Sequence, residues 1–546
     1  MFYTNISYFD LTKTVKSMKN KTLNTLILSL AIVLMASTAF SQALFQNTYS
    51  SSTNLKPMFS GPASGSGIIM CGATDATPSD GFVSKTDLNG VVQWTKKIGG
   101  SQEDVINVVR PTADGGYIAV GYTKSAGAGD MDALLVKLDA SGNISWSKTY
   151  GTTTIDVGND VVQTSDGGYA AIGYARHEYA ITDKGGFYVF KTNSSGTLSW
   201  SKMWGVDGQI NGMAIMQAAN GSLICSGTGW GGILIVQEVS QVGVLNWASG
   251  TTLYSQNITD KKVKTLQLSD GGFITLCNTM SSNGNQSFIL MRSNTTGIKI
   301  WSNKYHNSTG FSDDTYGGIV KTWGGFLIAG NCEENGGAYT SRPTMIRIDT
   351  AGNVQSARQY TALPYSPDSD YGFGIEKLSD GTHATVSYYA NKILLIKSNW
   401  SGAMGCTNNL ISISKNSASV DNGPMGSAWT SVGTTIVNTA SLTSTSLSLT
   451  KTTLCSTAVG IETTTQSTDI KVFPNPFTNK FEIDLTKEYK DVEITIYDVL
   501  SHIIYTNKYQ STNKITISRN NMASGVYFYQ IKSDNLIVAK GRVVAE

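Results

Sequence analysis

A repeated unit, marked by a Gly four residues before a Trp, constrains this chain more than any other feature. Residues 114–150 show one copy in full: DGGYIAVGYTKSAGAGDMDALLVKLDASGNISWSKTY. The Gly/Trp pairs are Gly90/Trp94, Gly142/Trp146, Gly196/Trp200, Gly243/Trp247 and Gly297/Trp301, and two degenerate copies follow at Gly352/Ser356 and Gly402/Cys406. Copies spaced by roughly 50 residues are typical of solenoids and propellers.

Each copy alternates apolar and polar residues over four short segments, which predicts four antiparallel strands. In the second copy these segments are 105–111, 117–123, 133–138 and 143–150. The first link is Asp-Gly-Gly and the third is Asx-x-x-Gly, where Gly supplies the positive φ of a tight turn. The second link varies in length and content. We therefore predict an all-β fold, with a seven-bladed β-propeller over residues 43–406 and a small β-sandwich domain after it.

The two ends of the repeat series are incomplete in complementary ways. Residues 44–49 (LFQNTY) match the last strand of the unit but precede the first copy, and the pattern fades after Gly402. A ring must pair its terminal strands or leave exposed edges. We therefore predict that residues 44–49 close the seventh blade. The variable links all fall on one face of such a ring, where we expect ligands to bind.

The N-terminal region has the pattern of a secretory signal, spanning residues 1–41, with Met18 as the expected start. Lys19 and Lys21 precede the apolar run 26–35, and small residues follow at 39–41. We predict no transmembrane segment after it. The net charge is only +2, without a basic cluster beyond this region. Nucleic acid is therefore not expected as a partner.

Three segments follow the repeats. Residues 407–455 are rich in Ser, Thr and Asn with sparse apolar alternation, which predicts a small β-rich appendage, and residues 456–469 predict a polar linker. Residues 470–546 again alternate, at 481–485, 492–497, 515–518, 526–531 and 537–544. Short antiparallel strands of this kind are typical of a β-sandwich.

The C-terminal segment resembles the type A sorting domain of the type IX secretion system. The matching residues are VFPNPF (472–477), ITIYD (494–498), ASGVYF (523–528) and KGRVV (540–544), although Ser501 stands where the family usually has Gly. The resemblance implies that the type IX machinery recognises residues 470–546, exports the chain across the outer membrane of a Gram-negative bacterium and removes this domain. The product is then released or attached to the cell surface. The repeats resemble the seven-bladed propeller proteins of such bacteria.

Two recurrent residue types favour structural roles. The Trp residues share one register, which predicts packing between blades; a row of sugar-stacking rings is the alternative. A Lys or Arg precedes the third link in six of the seven copies: Lys85, Lys137, Lys191, Arg292, Arg347 and Lys397, with Glu238 as the exception. We expect each basic residue to pack its stem on the blade and to pair with a carboxylate or a carbonyl.

Cysteines and histidines give limited signals. Cys71, Cys225, Cys277 and Cys332 fall in second strands of different copies, which predicts buried thiols. Cys406 and Cys455 flank the predicted appendage, and we predict a disulfide between them in an oxidising compartment. The 4 histidines share no metal-ligand spacing.

An Asp recurs at the start of the first strand in five copies: Asp104, Asp156, Asp260, Asp313 and Asp370. Two interpretations are open. Each Asp can accept backbone N–H bonds from its own crossover, or the five carboxylates can gather at one mouth of the channel and bind a cation, with Ca²⁺ preferred. We expect no other cofactor.

The sequence therefore favours a secreted or cell-surface binding or scaffold protein without catalysis, whose ligand is an unknown surface glycan or protein. The alternative is an extracellular carbohydrate-active propeller enzyme with its site on the variable-loop face, which needs two suitably spaced carboxylates. Residues that break the repeat there are His177, Glu178, Glu333 and Glu334. A ring that serves only as a spacer is the third possibility.

Overall fold

A computed structural model describes residues 42–176, 185–205, 210–229, 232–252, 263–280, 286–307, 315–333, 341–360, 371–389, 391–403, 408–410, 413–417, 421–424, 436–459, 471–498, 503–519, 522–533 and 536–546. The predicted signal region lies outside these residues. The described chain forms two compact units, one ending at Thr457 and one beginning at Ala458. All of its regular elements are strands.

The first unit contains seven antiparallel sheets, here called blades, that follow the seven sequence copies. Strand β1 is Gln42–Ser50. Blade 1 is β2 (Leu55–Pro62), β3 (Ile68–Thr74), β4 (Gly81–Thr86) and β5 (Val92–Gly99); blade 2 is β6 (Asp104–Pro111), β7 (Tyr117–Thr123), β8 (Asp132–Leu138) and β9 (Ile144–Gly151); blade 3 is β10 (Asp156–Gln163), β11 (Tyr169–Arg176), β12 (Gly185–Thr192) and β13 (Leu198–Trp204). Blade 4 is β14 (Asn211–Gln217), β15 (Leu223–Gly229), β16 (Ile233–Val239) and β17 (Leu245–Thr252); blade 5 is β18 (Val263–Gln267), β19 (Phe273–Met280), β20 (Gln286–Ser293) and β21 (Lys299–Asn307). Blade 6 is β22 (Thr315–Thr322), β23 (Gly325–Glu333), β24 (Ser341–Asp349) and β25 (Val354–Tyr360), and blade 7 begins with β26 (Tyr371–Lys377), β27 (His383–Tyr389) and β28 (Lys392–Ser398).

The blades form a closed ring with the first strand of each blade innermost. Each first strand contacts the first strands of the two neighbouring blades, and β26 of blade 7 contacts β2 of blade 1. Seven apolar clusters form the core of the ring, and each of them is built from two neighbouring blades. The core therefore lies between the sheets, as expected for sheets with two apolar faces.

The N-terminal strand completes blade 7. β1 pairs antiparallel with β28, with Phe45 opposite Lys397 and Tyr49 opposite Ile393. Leu44, Phe45 and Tyr49 are buried in the clusters that blade 7 shares with blades 6 and 1. The ring is thus closed by joining its two ends through backbone pairing.

The segment 407–455, predicted as a small β-rich appendage, contains strands that pair with the blades. This segment contributes β29 (Asn408–Leu410), β30 (Ile413–Ser417), β31 (Asp421–Pro424), β32 (Ile436–Thr439), β33 (Thr443–Ser446) and β34 (Thr450–Val459). They add a fifth, outermost strand to blades 6, 5, 4, 2, 1 and 7 in that order. We call these six strands the girdle. Because β34 runs to Val459, the predicted linker from 456 starts too early.

The physical reason for the girdle is the edge of each blade. Short Ser- and Thr-rich strands bury too little apolar surface for a core of their own, but their backbones can pair with strands that would otherwise end a sheet. Pairing is antiparallel, for example Asn438 opposite Thr149 and Thr445 opposite Lys97. Among the residues from 408 to 459 whose burial is described, only Ala440, between β32 and β33, is buried, and its carbonyl accepts a 2.5 Å bond from Ser147 Oγ.

Aromatic residues of the fourth strands connect each blade to the next. The ring of Trp94 packs on Gly142 of the following blade, and Trp146 packs on Gly196 in the same way. The hydroxyl of Tyr150 donates a 2.6 Å hydrogen bond to the Gly196 carbonyl. Equivalent bonds run from Tyr49, Tyr305 and Tyr360 to the turn glycines Gly90, Gly352 and Gly402. The predicted role of the Trp register in blade-to-blade packing is confirmed.

Gly142→Ala is expected to destabilise the ring more than Gly167→Ala. Both glycines have positive φ, +79° and +81°, so both variants lose about 1–2 kcal/mol from backbone strain. A Cβ on Gly142 would stand 2.6 Å from Trp94 Cζ3, whereas Gly167 has nothing within 4 Å. Overpacking adds about 1–3 kcal/mol at Gly142 alone. Denaturant unfolding of the two variants measures the difference, and equal losses would contradict this packing role.

The recurrent basic residues pair with the first turn of their own blade, as predicted. Lys137 Nζ lies 2.9 Å from Asp114, and Lys397 Nζ lies 2.8 Å from Asp380. Lys191–Asp166 and Arg292–Asp270 repeat this ion pair. In blade 4 the polarity reverses, because the amide of Asn220 donates a 3.0 Å bond to Glu238. The residue before the third link and its partner in the first turn thus change together: Glu238 pairs with Asn220, whereas four other blades pair a Lys or Arg with an Asp.

The second unit is a two-sheet sandwich. Its strands are β35 (Lys471–Phe473), β36 (Lys480–Tyr489), β37 (Val492–Tyr497), β38 (Ile503–Tyr509), β39 (Thr512–Ser518), β40 (Gly525–Ser533) and β41 (Leu536–Ala545). One sheet has the order β35-β36-β39 and the other β38-β37-β40-β41. A single apolar cluster, which includes Phe481, Ile494 and Ile531, contains residues of both sheets. Strands β35 and β38 were not predicted from the sequence.

Candidate functional site

The first strands of all seven blades line a central channel with a cavity volume of about 150 Å³. In six of them the pairing with the second strand shifts by one residue, which is a β-bulge. A bulge redirects a side chain away from the regular alternation. The residues left out of the pairing all line the channel: Met58, Asn107, Asn159, Met213, Gly317 and Gly374. The amide of Asn107 donates a 2.8 Å bond to the Gly158 carbonyl of the next blade, and Asn159 does the same to Gly212.

Four charged side chains from four blades meet inside this channel. Arg110 of blade 2 donates to Asp160 of blade 3 from Nη2 at 2.8 Å and from Nε at 3.2 Å. Its Nη1 lies 3.4 Å from Glu376 of blade 7, and Lys264 of blade 5 lies 3.3 Å from the same oxygen. The formal charges of this channel network cancel. The channel network connects blades 2, 3, 5 and 7, of which only blades 2 and 3 are neighbours in the ring.

Arg110 is the centre of the channel network. Its side chain is 21% exposed, and its guanidinium lies 5.3 Å from the centre of the Phe59 ring. Burial works against its charged form, but Asp160 and then Glu376 outweigh burial and raise the pKa of Arg110 above its ordinary value. Asp160 also accepts backbone N–H bonds from Val161 and Ile215. Asp160 is thus held by three blades.

The sequence did not point to these four residues. A comparison of the copies contains the signal: the other five blades have Gly61, Val162, Met216, Leu266 and Val320 where blade 2 has Arg110 and blade 7 has Glu376. A charge at a position that is otherwise apolar or Gly marks a local difference in an inner strand. The register needed for that comparison is visible only once the strands are paired.

The structure places two of the five predicted cation ligands, and neither faces an open channel mouth. Asp104 and Asp156 are fully buried at the starts of β6 and β10. Asp104 accepts bonds from Gly100 N at 2.7 Å and Ser125 Oγ at 2.8 Å, and Asp156 accepts one from Thr152 N at 2.6 Å. Both carboxylates thus bind their own crossovers. Asp260, Asp313 and Asp370 lie outside the described residues.

Burial strongly perturbs these acids. Desolvation raises the pKa of Asp156 to about 7, against the bonds from Thr152 and with a small contribution from the nearby Asp132. Desolvation likewise raises the pKa of Asp132 and of Asp104. All three side chains are 0% exposed. Because no substrate can reach them, they are not candidates for acid–base catalysis.

Other predicted site residues are placed as follows. Cys455 is disulfide-bonded, whereas Cys406 lies outside the described residues. Cys71, Cys225, Cys277 and Cys332 are buried thiols, as predicted. Among the described residues, no group of three or more His, Cys, Asp or Glu side chains is arranged to hold a metal ion. His177, Glu178 and Glu334 lie outside the described part of the chain, and Glu333 ends β23.

His383 of blade 7 is a buried titratable group where the six other blades have Ile68, Tyr117, Tyr169, Leu223, Phe273 and Phe326. Its side chain is 1% exposed, and burial lowers its pKa from 6.5 to about 4. The unfolded chain therefore takes up a proton at a higher pH than the folded chain. Stability is complete above about pH 6.5 and falls as the pH is lowered toward 4.

His383→Phe is expected to remove this pH dependence. The wild-type ring should lose about 3 kcal/mol more than the variant between pH 7 and pH 4, because one pKa unit corresponds to about 1.4 kcal/mol. Urea unfolding of both proteins at several pH values measures the difference, and other titrating groups cancel in it. Parallel pH profiles would show that His383 is not responsible.

The C-terminal unit has an identifiable counterpart among known families. Residues 471–545 match the family described as "Secretion system C-terminal sorting domain". This match covers the whole sandwich from β35 to β41. The C-terminal unit is a sorting domain. The sorting domain directs the chain through the type IX secretion machinery to the cell surface or the medium of a Gram-negative bacterium. In the described residues no helix is long and apolar enough to span a membrane.

Solved structures with some similarity to the chain share 10% sequence identity with it. A protein of unknown function from Dyadobacter fermentans matches with a TM-score of 0.37, over 66% of this chain and 99% of that one. A protein of unknown function from Bacteroides caccae gives 0.29 over 47% and 93%, and a putative exo-beta-1,3-galactanase from Bifidobacterium bifidum gives 0.26 over 47% and 90%. None of these scores carries an argument about function. No curated protein matches the chain.

Proposed function

We propose that the ring is an extracellular binding scaffold without catalysis, and that its ligand, a surface glycan or protein, binds on the face with the variable links. The observation that carries this proposal is the difference between the two faces. We call the face that carries the first and third links of each blade the uniform-turn face. There the third-link glycines contact aromatic rings of the preceding blade, and their carbonyls accept hydrogen bonds from its Tyr hydroxyls. The opposite face carries links of differing length. Loops that vary on a rigid scaffold are the usual place for recognition.

The channel network supports the same proposal. Its two carboxylates, on Asp160 and Glu376, each contact a cation from another blade within 3.4 Å. Carboxylates held in this way contribute to the ring, because each pairs with a cation that another blade supplies. We therefore propose that the channel network stabilises the ring and that the ligand binds on the face with the variable links.

Oriented attachment tests the proposed binding face. Two variants of the exported protein, which each introduce one exposed cysteine, are coupled to a surface through it: Asp130→Cys in the variable link of blade 2 and Val242→Cys in the third turn of blade 4, where Val242 is 74% exposed. Arrays of surface glycans and extracellular proteins are then applied. Attachment through position 242 should preserve binding, whereas attachment through position 130 should reduce it. The ligand should be recovered chemically unchanged.

The reverse orientation preference would place recognition on the uniform-turn face, and a cleaved ligand would make the ring an enzyme. Intact-mass measurement of the same exported protein checks the expected removal of residues 470–546. Finding Glu546 in that species would contradict the removal without affecting the assignment of the binding face.

A further inference from the structure

The crossovers from blade 1 to blade 2 and from blade 2 to blade 3 share four positions with identical spacing. The pairs of equivalent residues are Asp80 and Asp132, Lys97 and Thr149, Gly99 and Gly151, and Asp104 and Asp156. Both crossovers thus bring two acids together around a Gly. They differ in the residue that stands beside the acids.

At the first crossover, the acids are matched by a protein cation. Lys97 Nζ lies 2.6 Å from Asp80 Oδ2. Both oxygens of Asp104 are also satisfied: Oδ1 by the Thr123 hydroxyl, and Oδ2 by Gly100 N and Ser125 Oγ. This crossover needs nothing from outside the chain.

At the second crossover, two of the stabilising groups are missing. Thr149 replaces Lys97, and Ala175 replaces Thr123 opposite the acid. Asp156 Oδ2 accepts bonds from Thr152 N and Oγ1, but Asp156 Oδ1 and Thr149 Oγ1 have no hydrogen-bond partner among the described residues. Both side chains are 0% exposed, so water in bulk does not reach these atoms. Buried polar atoms are normally satisfied, and such exceptions indicate an ion or ordered water.

The two acids of this crossover face a common point. A Cβ on Gly151 would stand 2.6 Å from Asp156 Oδ2 and 2.8 Å from Asp132 Oδ1. Asp132 Oδ1 makes only a long 3.3 Å bond, to Ala128 N, and so keeps free acceptor capacity. Thr149 lies two residues before Gly151 on the same face of the strand. At this register in blade 1, the side chain of Lys97 reaches the equivalent acid.

At the equivalent positions of the third crossover, which the structure describes, neither the acids nor the cation is present. Gly186 takes the place of Asp132, Met203 that of Thr149 and Ile210 that of Asp156. Met203 packs into the space, since its Cγ lies 2.3 Å from where a Cβ on Gly186 would stand. Acids and countercharge are therefore present or absent together at two crossovers. Of these three crossovers, the second has the acids at the described positions without a protein cation.

We propose that the oxygens of Asp132, Asp156 and Thr149 bind a hard divalent cation, with Ca²⁺ the best match, in the place that the Lys97 ammonium fills one blade earlier. Two carboxylates and a hydroxyl are oxygen ligands, which suit Ca²⁺ and not the metals that prefer nitrogen or sulfur. The cation would join the end of blade 2 to the start of blade 3. This site is distinct from a ring of five carboxylates at the channel mouth and does not depend on the proposed binding scaffold.

Thermal unfolding of the exported protein with Ca²⁺ and with chelator tests the site. Extracellular Ca²⁺ sites bind at about 10⁻⁴–10⁻³ M, so 10 mM Ca²⁺ should raise the wild-type Tm by a few degrees. Asp156→Asn should lose this shift. The matched control, Asp104→Asn at the first crossover, should retain it. Thr149→Lys should be more stable than wild type in chelator and unresponsive to Ca²⁺.

Terbium luminescence gives a second measurement, since Tb³⁺ replaces Ca²⁺ and is sensitised by aromatic rings of the protein. Ca²⁺ should displace Tb³⁺ from wild type and from Asp104→Asn, and Asp156→Asn should lose this displaceable signal. If Thr149→Lys does not fold, the comparison of the two Asn variants decides. Absence of a Ca²⁺ shift in wild type, or a shift that persists in Asp156→Asn, would overturn the proposal.

Discussion

Deletion of residues 43–50 is expected to abolish cooperative unfolding of the ring. The deletion removes β1, which lies between β28 and β34 in blade 7. Two strand edges then lose their partners, and the buried Leu44, Phe45 and Tyr49 leave the clusters that join blade 7 to its neighbours. Each such side chain contributes about 1.5–3 kcal/mol when fully buried. Together with the lost backbone pairing, this approaches the whole stability of a typical domain, about 5–15 kcal/mol.

Differential scanning calorimetry of the full chain with and without residues 43–50 measures this loss. Tyr49→Phe is the matched control, because it keeps the strand and removes only the hydroxyl, which donates a 2.7 Å bond to the Gly90 carbonyl and accepts a 3.2 Å bond from Asn47 Nδ2. It should cost about 1 kcal/mol and leave a single transition. A synthetic peptide of residues 42–51 should restore the transition of the deleted chain. An unchanged Tm after the deletion would show that β1 does not close the ring.

Replacing residues 408–459 with a Gly/Ser segment of equal length is expected to make the ring self-associate and to lower its Tm. The outermost strands β5, β9, β17, β21 and β25 would each lose a partner, as would β1 in blade 7. Unpaired edges present free N–H and C=O groups to other chains. Light scattering at increasing protein concentration should show association of this variant.

The control for this experiment is a chain that ends at Val459, because it retains all six girdle strands and lacks only the sorting domain. It should remain monodisperse with the Tm of the intact ring. If the replacement variant behaves like this control, residues 408–459 contribute nothing to the ring, and the segment would act as the independent appendage that its composition suggested.

The channel network shows where prediction from the sequence ended. Arg110, Asp160, Lys264 and Glu376 are separated by 50 to 266 residues along the pairs that they form. Their meeting depends on ring closure and on the bulges that redirect inner side chains. For the recurrent Asp the sequence left two interpretations open, and the N–H bonds that Asp104 and Asp156 accept from their own crossovers favour the structural one.

The sequence by itself determined the features that depend on neighbouring residues. Turn chemistry and alternation defined the blades, because a Gly with positive φ or a two-residue period acts over a few positions; the aromatic register likewise indicated packing between repeats. Only the tertiary structure decided the course of residues 408–459. Their pairing is made by backbone groups, which every residue except Pro carries alike, so no side-chain pattern specifies which edge they cover. Likewise, only the tertiary structure shows that Asp156 Oδ1 and Thr149 Oγ1 have no hydrogen-bond partner among the described residues, since a missing partner is visible only when the surrounding atoms are in place.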